Sequence, residues 1–341
     1  MTKKLLNVLA GEAVWPPPLW LMRQAGRYLP EYRQFRAQAG DFLSLCFNPK
    51  LAAEVTLQPV RRYGMDAAIL FSDILVVPWG LGQGLSFNAG EGPVLPPIRD
   101  EMALAALDEA GFMARVAPVM ETVANVKAAL DPAAALIGFA GSPWTVACYM
   151  VEGSGSRDWA GVREVAYRQP ALFNRLIEMV TKATIAYLSA QITAGAETVM
   201  LFDSWVGVLP PSLFRQYGIA PVVKIVERIN QLHPNTPIIG FPRGAGASVE
   251  EYADATGVNA VGLDTAVDVK LARDWLPHNV AIQGNMDPVL LLAGGTMMER
   301  EVRNICDQMR GHPHIFNLGH GILPQTDPAV VADLVRIVRN G

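Results

Sequence analysis

The sequence predicts an α/β protein, a TIM-type (β/α)8 barrel in which residues 1–341 form a single domain. The length of 341 residues is normal for one such barrel. Eight short runs of apolar or β-forming residues recur along the chain, with helical patterns between them. Polar or charged residues follow most of these runs, which predicts an active-site cleft at the carboxyl ends of the strands.

The eight predicted strands are short and mostly apolar. They lie near residues 19–22, 67–71, 135–139, 198–202, 237–241, 260–263, 280–283 and 315–318. Strands that alternate with helices form parallel sheets, and eight is the number that closes this barrel. The alternative is an open doubly wound sheet, but its G-x-G-x-x-G fingerprint does not follow the first run.

The helical segments carry recognisable start and stop signals. Asn48 and Pro49 predict a helix start, and the pattern continues to Gly64. A second long pattern, with apolar residues three and four positions apart, runs from Pro170 to Gly195. Two others are predicted at 211–229 and 328–339, and the Gly- and Pro-rich stretch 78–99 is predicted as a long active-site loop.

Composition narrows the possible partners and compartment. Apolar residues make up 51% of the chain and charged residues 18%, which describes a packed globular protein. A net charge of −4 without a basic tract gives no case for nucleic acid. No window approaches about 18 uninterrupted apolar residues, so no membrane partner is expected. Three distant cysteines and the lack of a signal-peptide pattern predict reduced thiols in a cytoplasmic protein.

The most informative segment is 20–36, WLMRQAGRYLPEYRQFR. Arg23 and Arg27 flank Gly26 in a predicted tight turn. The planar guanidinium donates two parallel hydrogen bonds to a carboxylate, so two such groups on one turn predict a substrate with several carboxylates. The alternative is that these arginines pair with Glu31 and solvent on an exposed turn.

Candidate site residues follow the other strands, and each also has a structural interpretation. Asp73 and one of the pair Asp203 and Ser204 could cap turns, Tyr149 could be a wall residue, and Asp264 and Asn285 are predicted turn and cap residues. Phenylalanines at strand ends are predicted to pack at the barrel lip. His320 lies between two glycines, which admit the close approach of another group.

Six segments together resemble the uroporphyrinogen decarboxylase family, in family order: WLMRQAGRYLPEYR, FSDILVVP, GSPWTVACYMVEGSGS, FDSWVG, GFPRG and FNLGHGI. The resemblance implies that Arg23 and Arg27 bind substrate carboxylates and that Asp73 receives the pyrrole N–H groups. It implies further that Tyr149 and Ser204 hydrogen-bond substrate carboxylates and that His320 lines the cleft. Ser154 departs slightly from the family pattern, which often has glycine there.

The resemblance also implies a reaction and a partner. The family decarboxylates the four acetates of uroporphyrinogen III to methyl groups, giving coproporphyrinogen III, with no cofactor and no metal, and it forms homodimers. The sequence leaves open which group is the general acid. Two alternatives stand beside this interpretation. A zinc-dependent corrinoid methyltransferase would need a His-x-Cys pair and a later Cys, whereas a non-catalytic tetrapyrrole-binding protein would keep the arginines without needing Asp73.

Overall fold

The computed structural model describes residues 3–88 and 92–341, so residues 1–2 of the N-terminus and 89–91 of the 78–99 stretch lie outside the described residues. Seven parallel strands form one curled sheet in the order β1, β4, β5, β6, β7, β8, β9. Their bounds are β1 Ala67–Ile69, β4 Ala135–Gly141, β5 Thr198–Asp203, β6 Ile238–Pro242, β7 Ala260–Gly262, β8 Ala281–Gln283 and β9 His314–Ile315. Seven of the eight predicted strands are therefore confirmed, within two or three residues at each end, and the architecture is that of an α/β barrel.

The prediction of a strand at 19–22 is wrong, although the segment does occupy the eighth place in the barrel. Leu19 makes only an isolated parallel bridge to Phe316, beyond the end of β9. On the other side the backbone N–H of Asp66 donates to the carbonyl of Leu19 at 2.9 Å. The segment therefore closes the gap between β9 and β1 without forming a ladder with either.

Side chains explain why no ladder forms there. The backbone N–H of Leu19 donates to the carboxylate of Asp66 at 2.8 Å, and that of Met22 donates to the side-chain carbonyl of Asn317 at 3.0 Å. The side-chain amide of Gln24 acts in the same way, because it donates to the backbone carbonyl of Ala67 in β1 at 3.0 Å, in place of a neighbouring strand. Polar side chains thus take the bonds that backbone groups would otherwise exchange.

Helices cover the outside of the sheet. They are α1 Lys4–Leu9, α2 Pro30–Ala39, α3 Phe42–Cys46, α4 Pro49–Tyr63, α5 Val76–Gly80, α6 Glu101–Ala105, α7 Phe112–Ala129, α8 Pro143–Glu152, α9 Ala160–Arg168, α10 Pro170–Ala194, α11 Pro211–Leu213, α12 Ala220–Leu232, α13 Val249–Thr256, α14 Val269–Trp275, α15 Pro288–Ala293, α16 Gly295–Gln308 and α17 Pro328–Asn340. None of the described helices is both long and apolar enough to cross a membrane.

The predicted helix signals operate as expected. The Asn48 side chain accepts a hydrogen bond from the backbone N–H of Leu51, and α4 ends at Gly64 in the left-handed conformation, with φ of 65°. Asp327 caps α17 through the N–H of Ala329, and α10 ends at Gly195 as predicted. Start and stop positions are local properties, which is why sequence spacing was enough to find them.

Two features depart from the sequence prediction. The helix predicted at 211–229 is interrupted, because a π-helical turn at Phe214–Ile219 separates α11 from α12. The stretch 78–99, predicted as a loop, contains the end of α5 and a hairpin of β2 (Ser86–Asn88) with β3 (Gly92–Val94). Both are short pieces whose formation depends on neighbouring packing more than on local pattern.

Candidate active site

All seven strands are parallel, so their carboxyl ends meet at one mouth of the barrel. The six residues predicted for the site all lie on the segments that leave these ends. Arg27 and Asp73 lie close enough to Arg23 for their charges to act on its guanidinium, and Tyr149 lies near it as well. The charge of Arg23 in turn acts on His320. The structure therefore brings these residues to one place.

The arginine turn is tightly built around two glycines. Arg23 has the left-handed φ of 62°, which is uncommon for a residue with a side chain. A Cβ on Gly26 would lie 2.7 Å from the carbonyl oxygen of Arg23, so only glycine fits there. A Cβ on Gly321 would overlap the Arg23 side chain, so the segment carrying His320 and this arginine fit together only because Gly321 has no side chain.

The proposed pairing of these arginines with Glu31 is wrong. Glu31 pairs with Arg62 instead, at 3.0 Å. Arg33 donates to the backbone carbonyls of Arg27, at 2.9 Å, and Tyr28, at 3.1 Å, and so supports the turn. Among the ion pairs of residues 3–88 and 92–341, none involves Arg23 or Arg27.

The electrostatics of the mouth are dominated by positive charge. The pKa of Arg23 is lowered, mainly because the guanidinium loses part of its contact with water in the mouth. Repulsion from Arg27 and Arg243 lowers this pKa further, and attraction to Asp73 opposes the change. Like charges brought this close repel one another. A bound anion offsets this repulsion, so the arrangement suits a ligand with several carboxylates.

The carboxylate of Asp73 stabilises its own turn, and its pKa is raised. One carboxylate oxygen accepts a hydrogen bond from the backbone N–H of Leu75 at 2.8 Å, as the capping interpretation predicted. Loss of water raises the pKa of Asp73 to about 6, while the Leu75 hydrogen bond and the charge of Arg23 pull in the opposite direction. A carboxylate with a raised pKa close to an arginine at a strand end is a typical sign of function.

His320 is a neutral imidazole at physiological pH. Burial, followed by the charges of Arg23 and Arg243, lowers its pKa to about 4, and Asp264 opposes the shift. Its Nδ1 atom is buried without a hydrogen-bond partner among the described residues. A Cβ on the preceding Gly319 would meet the backbone N of Thr265 at 2.5 Å, so both flanking glycines are needed for close approach.

Tyr149 lies in an aromatic wall. Its ring contacts those of Trp159, with centroids 5.0 Å apart, and Trp205, with centroids 6.5 Å apart. Burial is the main cause that raises the pKa of Tyr149, so the hydroxyl stays protonated and can donate a hydrogen bond. Tyr149 can therefore form part of the aromatic wall and still be available to donate a hydrogen bond.

Asp203 and Ser204 differ in their burial and in their contacts. Asp203 is fully buried and accepts a hydrogen bond from the hydroxyl of Thr145 at 2.6 Å, and that hydroxyl accepts the backbone N–H of Trp205 at 3.1 Å. Asp203 therefore holds the turn through Thr145, and burial raises its pKa to about 7. Ser204 is partly exposed at the mouth.

The remaining strand-end residues have the structural roles predicted for them. Asp264 accepts the backbone N–H of Ala266 at 2.8 Å, and the Asn285 amide donates to the carbonyls of Asp264, at 2.7 Å, and Val267, at 2.6 Å. The strand-end phenylalanines also pack on one another. Phe139 and Phe202 have ring centroids 5.5 Å apart, and Phe202 and Phe241 have theirs 6.0 Å apart.

The GFPRG motif after the fifth predicted strand contains Arg243, to which the sequence analysis assigned no role. The structure places its charge near both Arg23 and His320. The signal was present in the sequence as a charged residue between Pro242 and Gly244 at a strand end, the position where barrel enzymes carry functional groups.

The zinc-enzyme alternative can be compared with the same site. Neither GFPRG nor the stretch around His320 contains cysteine. Within residues 3–88 and 92–341, no group of three or more His, Cys, Asp or Glu side chains is arranged to hold a metal ion. Cys46, Cys148 and Cys306 are buried, unpaired thiols.

Comparison with known proteins identifies relatives over the full length of the chain. The family model of uroporphyrinogen decarboxylase (URO-D) matches residues 1–341. A protein of Granulibacter bethesdensis named uroporphyrinogen decarboxylase is 56% identical over 99% of both chains. One of the same name from Acidiphilium cryptum is 59% identical over 99% of this chain and 94% of its own.

Solved structures share the fold at much lower identity. A methyltransferase from Methanosarcina mazei superposes with a TM-score of 0.80 at 19% identity, covering 99% of this chain and 97% of its own. A B12-independent methionine synthase from Shewanella gives a TM-score of 0.55 at 9% identity over 85% of each chain. These likenesses concern architecture alone, whereas the full-length sequence matches decide the family. The chain belongs to the uroporphyrinogen decarboxylase family of enzymes.

Proposed function

We propose that this enzyme decarboxylates the four acetate side chains of uroporphyrinogen III to methyl groups, giving coproporphyrinogen III in tetrapyrrole biosynthesis. The observation that carries the proposal is the composition of the mouth, where the carboxylate of Asp73 lies near Arg23, an arginine that has no ion-pair partner among residues 3–88 and 92–341. Full-length relatives that bear the name of this activity support the same conclusion.

The chemistry needs an electron sink, and the substrate carries one. Direct loss of CO2 from an acetate would leave an unstabilised carbanion. Protonation of the adjacent pyrrole carbon first gives a cationic ring, which accepts the electron pair of the breaking C–C bond as CO2 leaves. A second proton then adds to the exocyclic carbon and completes the methyl group, and the proton first added to the ring carbon leaves, which restores the neutral aromatic pyrrole. The net change is the replacement of one CO2 by one proton, so no redox cofactor and no metal are required.

Asp73 is proposed as the group that stabilises the cationic ring. An ionised carboxylate only accepts hydrogen bonds, and the four pyrrole N–H groups of the macrocycle can turn towards one such acceptor. With a pKa of about 6, Asp73 is mostly ionised at pH 7. Its attraction for the ring strengthens when the ring becomes cationic, so the interaction favours the transition state over the ground state.

The other residues are proposed to bind and orient. Arg23 and Arg27 hold substrate carboxylates through their planar forks, and Arg23 orients the reacting acetate. The protonated Tyr149 hydroxyl and Ser204 donate to further carboxylates. His320 lines the site as a neutral hydrogen-bonding group, since a histidine with a pKa of about 4 is not a proton donor at pH 7.

The organisation of the enzyme follows the family in this proposal. We propose one domain over residues 1–341 and a homodimer whose active sites face one another. A cytoplasmic location is supported by the three cysteines, which are all unpaired thiols.

The proposal is tested by incubating the purified protein anaerobically with uroporphyrinogen III. We expect CO2 release and the sequential appearance of hepta-, hexa-, penta- and tetracarboxylate products on chromatography after oxidation. Tight binding of the porphyrinogen without CO2 release would contradict the proposal and favour a non-catalytic carrier. The Asp73→Asn variant is the matched control, because it keeps the shape of the site.

A further inference from the structure

The mouth of the barrel contains a third arginine, and its position in the strand order is informative. Counting the 19–22 segment as the eighth place, the barrel runs from that segment through β1, β4, β5, β6, β7, β8 and β9 and back. Arg243 follows β6, which is four places from the arginine turn in either direction. Arg243 and Arg23 therefore approach the mouth from opposite sides.

The backbone of Arg243 is fixed by its neighbours. Its N–H donates to the carbonyl of Asp203 at 3.1 Å, and its carbonyl accepts the N–H of Gly207 at 3.2 Å. The N–H of the next residue, Gly244, donates to the carboxylate of Asp264. The base of this side chain is therefore tied to the segments that follow β5 and β7.

Two glycines make this fixation possible. A Cβ on Gly207 would lie 2.7 Å from the Cα of Gly244, so the two segments touch through their backbones. Gly244 also has φ of +80°, a conformation that a residue with a side chain rarely adopts. Such close backbone contact restricts the backbone conformation of Arg243. Because the backbone is already fixed, less conformational entropy is lost when the side chain binds a ligand.

The guanidinium is oriented by an aromatic surface. Its central carbon lies 5.8 Å from the ring centroid of Trp205, and its Nη1 lies 3.5 Å from the carbonyl of Ser204. Trp205 is itself fixed through its backbone. Its backbone N–H donates to the hydroxyl of Thr145, and its backbone carbonyl accepts the indole N–H of Trp144, both at 3.1 Å. Stacking leaves the N–H edge of the guanidinium free to face a ligand.

Arg243 has no ion-pair partner among residues 3–88 and 92–341, although its charge acts on both Arg23 and His320. A structural arginine at this position would be expected to pair with a carboxylate. The carboxylate of Asp264, which binds the next residue along the chain, already accepts backbone N–H groups from Gly244 and Ala266. The available hydrogen-bonding capacity of Arg243 is therefore directed to the mouth.

We propose that Arg243 is a further substrate-binding residue, which grips a carboxylate on the side of the macrocycle opposite the one held by Arg23 and Arg27. This inference rests on the proposed function. A tetrapyrrole carries carboxylates around its whole rim, so cations on one side of the mouth would hold it by one edge only. A second grip across the mouth limits rotation and tilting of the ring above Asp73.

The test compares Arg243→Gln and Arg243→Lys with the parent enzyme. Arg228→Gln is the matched control, because it removes the same charge from an exposed position on α12, where the guanidinium bonds only Gln231 among the described residues. The measurements are kcat and KM for uroporphyrinogen III, the inhibition constant of coproporphyrinogen III and the thermal unfolding temperature.

We expect Arg243→Gln to raise KM by about tenfold to a hundredfold, as loss of a charge-assisted hydrogen bond predicts, with unfolding unchanged. Arg243→Lys should fall between this variant and the parent, and Arg228→Gln should match the parent. A parallel rise in the inhibition constant would assign the carboxylate to a propionate, whereas an unchanged constant would assign it to an acetate.

Two results would overturn the inference. One is a KM for Arg243→Gln within twofold of the parent value, and the other is loss of folding in both variants, which would make Arg243 a structural support for Trp205. An inactive parent enzyme would instead contradict the proposed function, so the two failures are distinguishable.

Discussion

Replacing Asp73 by Asn separates the proposed catalytic role from the local turn. Asn preserves the shape and can still accept the Leu75 N–H, so the turn should survive. The change removes the negative charge and introduces a donor that faces the pyrrole N–H groups. We expect turnover of uroporphyrinogen III to fall by at least about a hundredfold, equivalent to about 2.7 kcal/mol of transition-state stabilisation.

The same substitution should stabilise the folded protein. Asp73 has a folded-state pKa of about 6 against an ordinary value of 3.8, a difference that corresponds to about 3 kcal/mol. Because the side chain is partly exposed, screening by solvent reduces this to about 1–2 kcal/mol. At about 2 cal/mol/K per residue, the expected rise in Tm at pH 7 is roughly 1–3 °C.

The sign of the pH dependence follows from the raised pKa. Above pH 6 the parent carries the full cost of an ionised Asp73, whereas below pH 4 the carboxyl is protonated in both the folded and unfolded states. The stability advantage of Asp73→Asn should therefore disappear as pH falls from 6 to 4. The parent's kcat/KM should also fall below about pH 6, as Asp73 of the free enzyme becomes protonated.

Steady-state decarboxylation and thermal unfolding between pH 4 and pH 8 measure both effects, with Arg228→Gln again as the surface control. Near-normal turnover in Asp73→Asn would refute the electrostatic reasoning and leave Asp73 as a turn residue. A lower Tm at pH 7, with turnover also lost, would mean that the carboxylate is needed for folding rather than for catalysis.

Four further predictions concern the carboxylate grip, the histidine, metals and assembly. Arg23→Lys should raise KM and lower kcat although it keeps the charge, because lysine lacks the bidentate fork; kinetics equal to the parent would argue against bidentate binding. His320→Asn should cost no more than about tenfold in turnover, since we assign it a supporting role, and complete inactivity of the folded variant would require a larger one. Dialysis against a chelator should leave turnover unchanged, because the protonated ring is the electron sink; loss of turnover restored by one specific metal would contradict this. Sedimentation at micromolar concentration should give a homodimer, and a monomer would disagree with our proposal.

Local patterns in the sequence were enough to predict much of this protein. The α4 start at Pro49 and its end at Gly64 depend on neighbouring residues, and so does the glycine-dependent turn at Arg23. Alternation of apolar runs with helical patterns was enough for the barrel class. Since barrel chemistry gathers at the carboxyl ends of strands, the same pattern also placed Asp73 and His320 at one mouth.

Only the tertiary structure decided how the eighth place in the barrel is filled. Nothing local shows that Asp66 and Asn317 would take the backbone N–H groups of Leu19 and Met22, because those residues are distant in sequence. The pKa values of Asp73 and His320 are likewise set by burial and by charges on other strands. The position of Arg243 opposite Arg23 follows from closure of the barrel, which no local stretch of sequence contains.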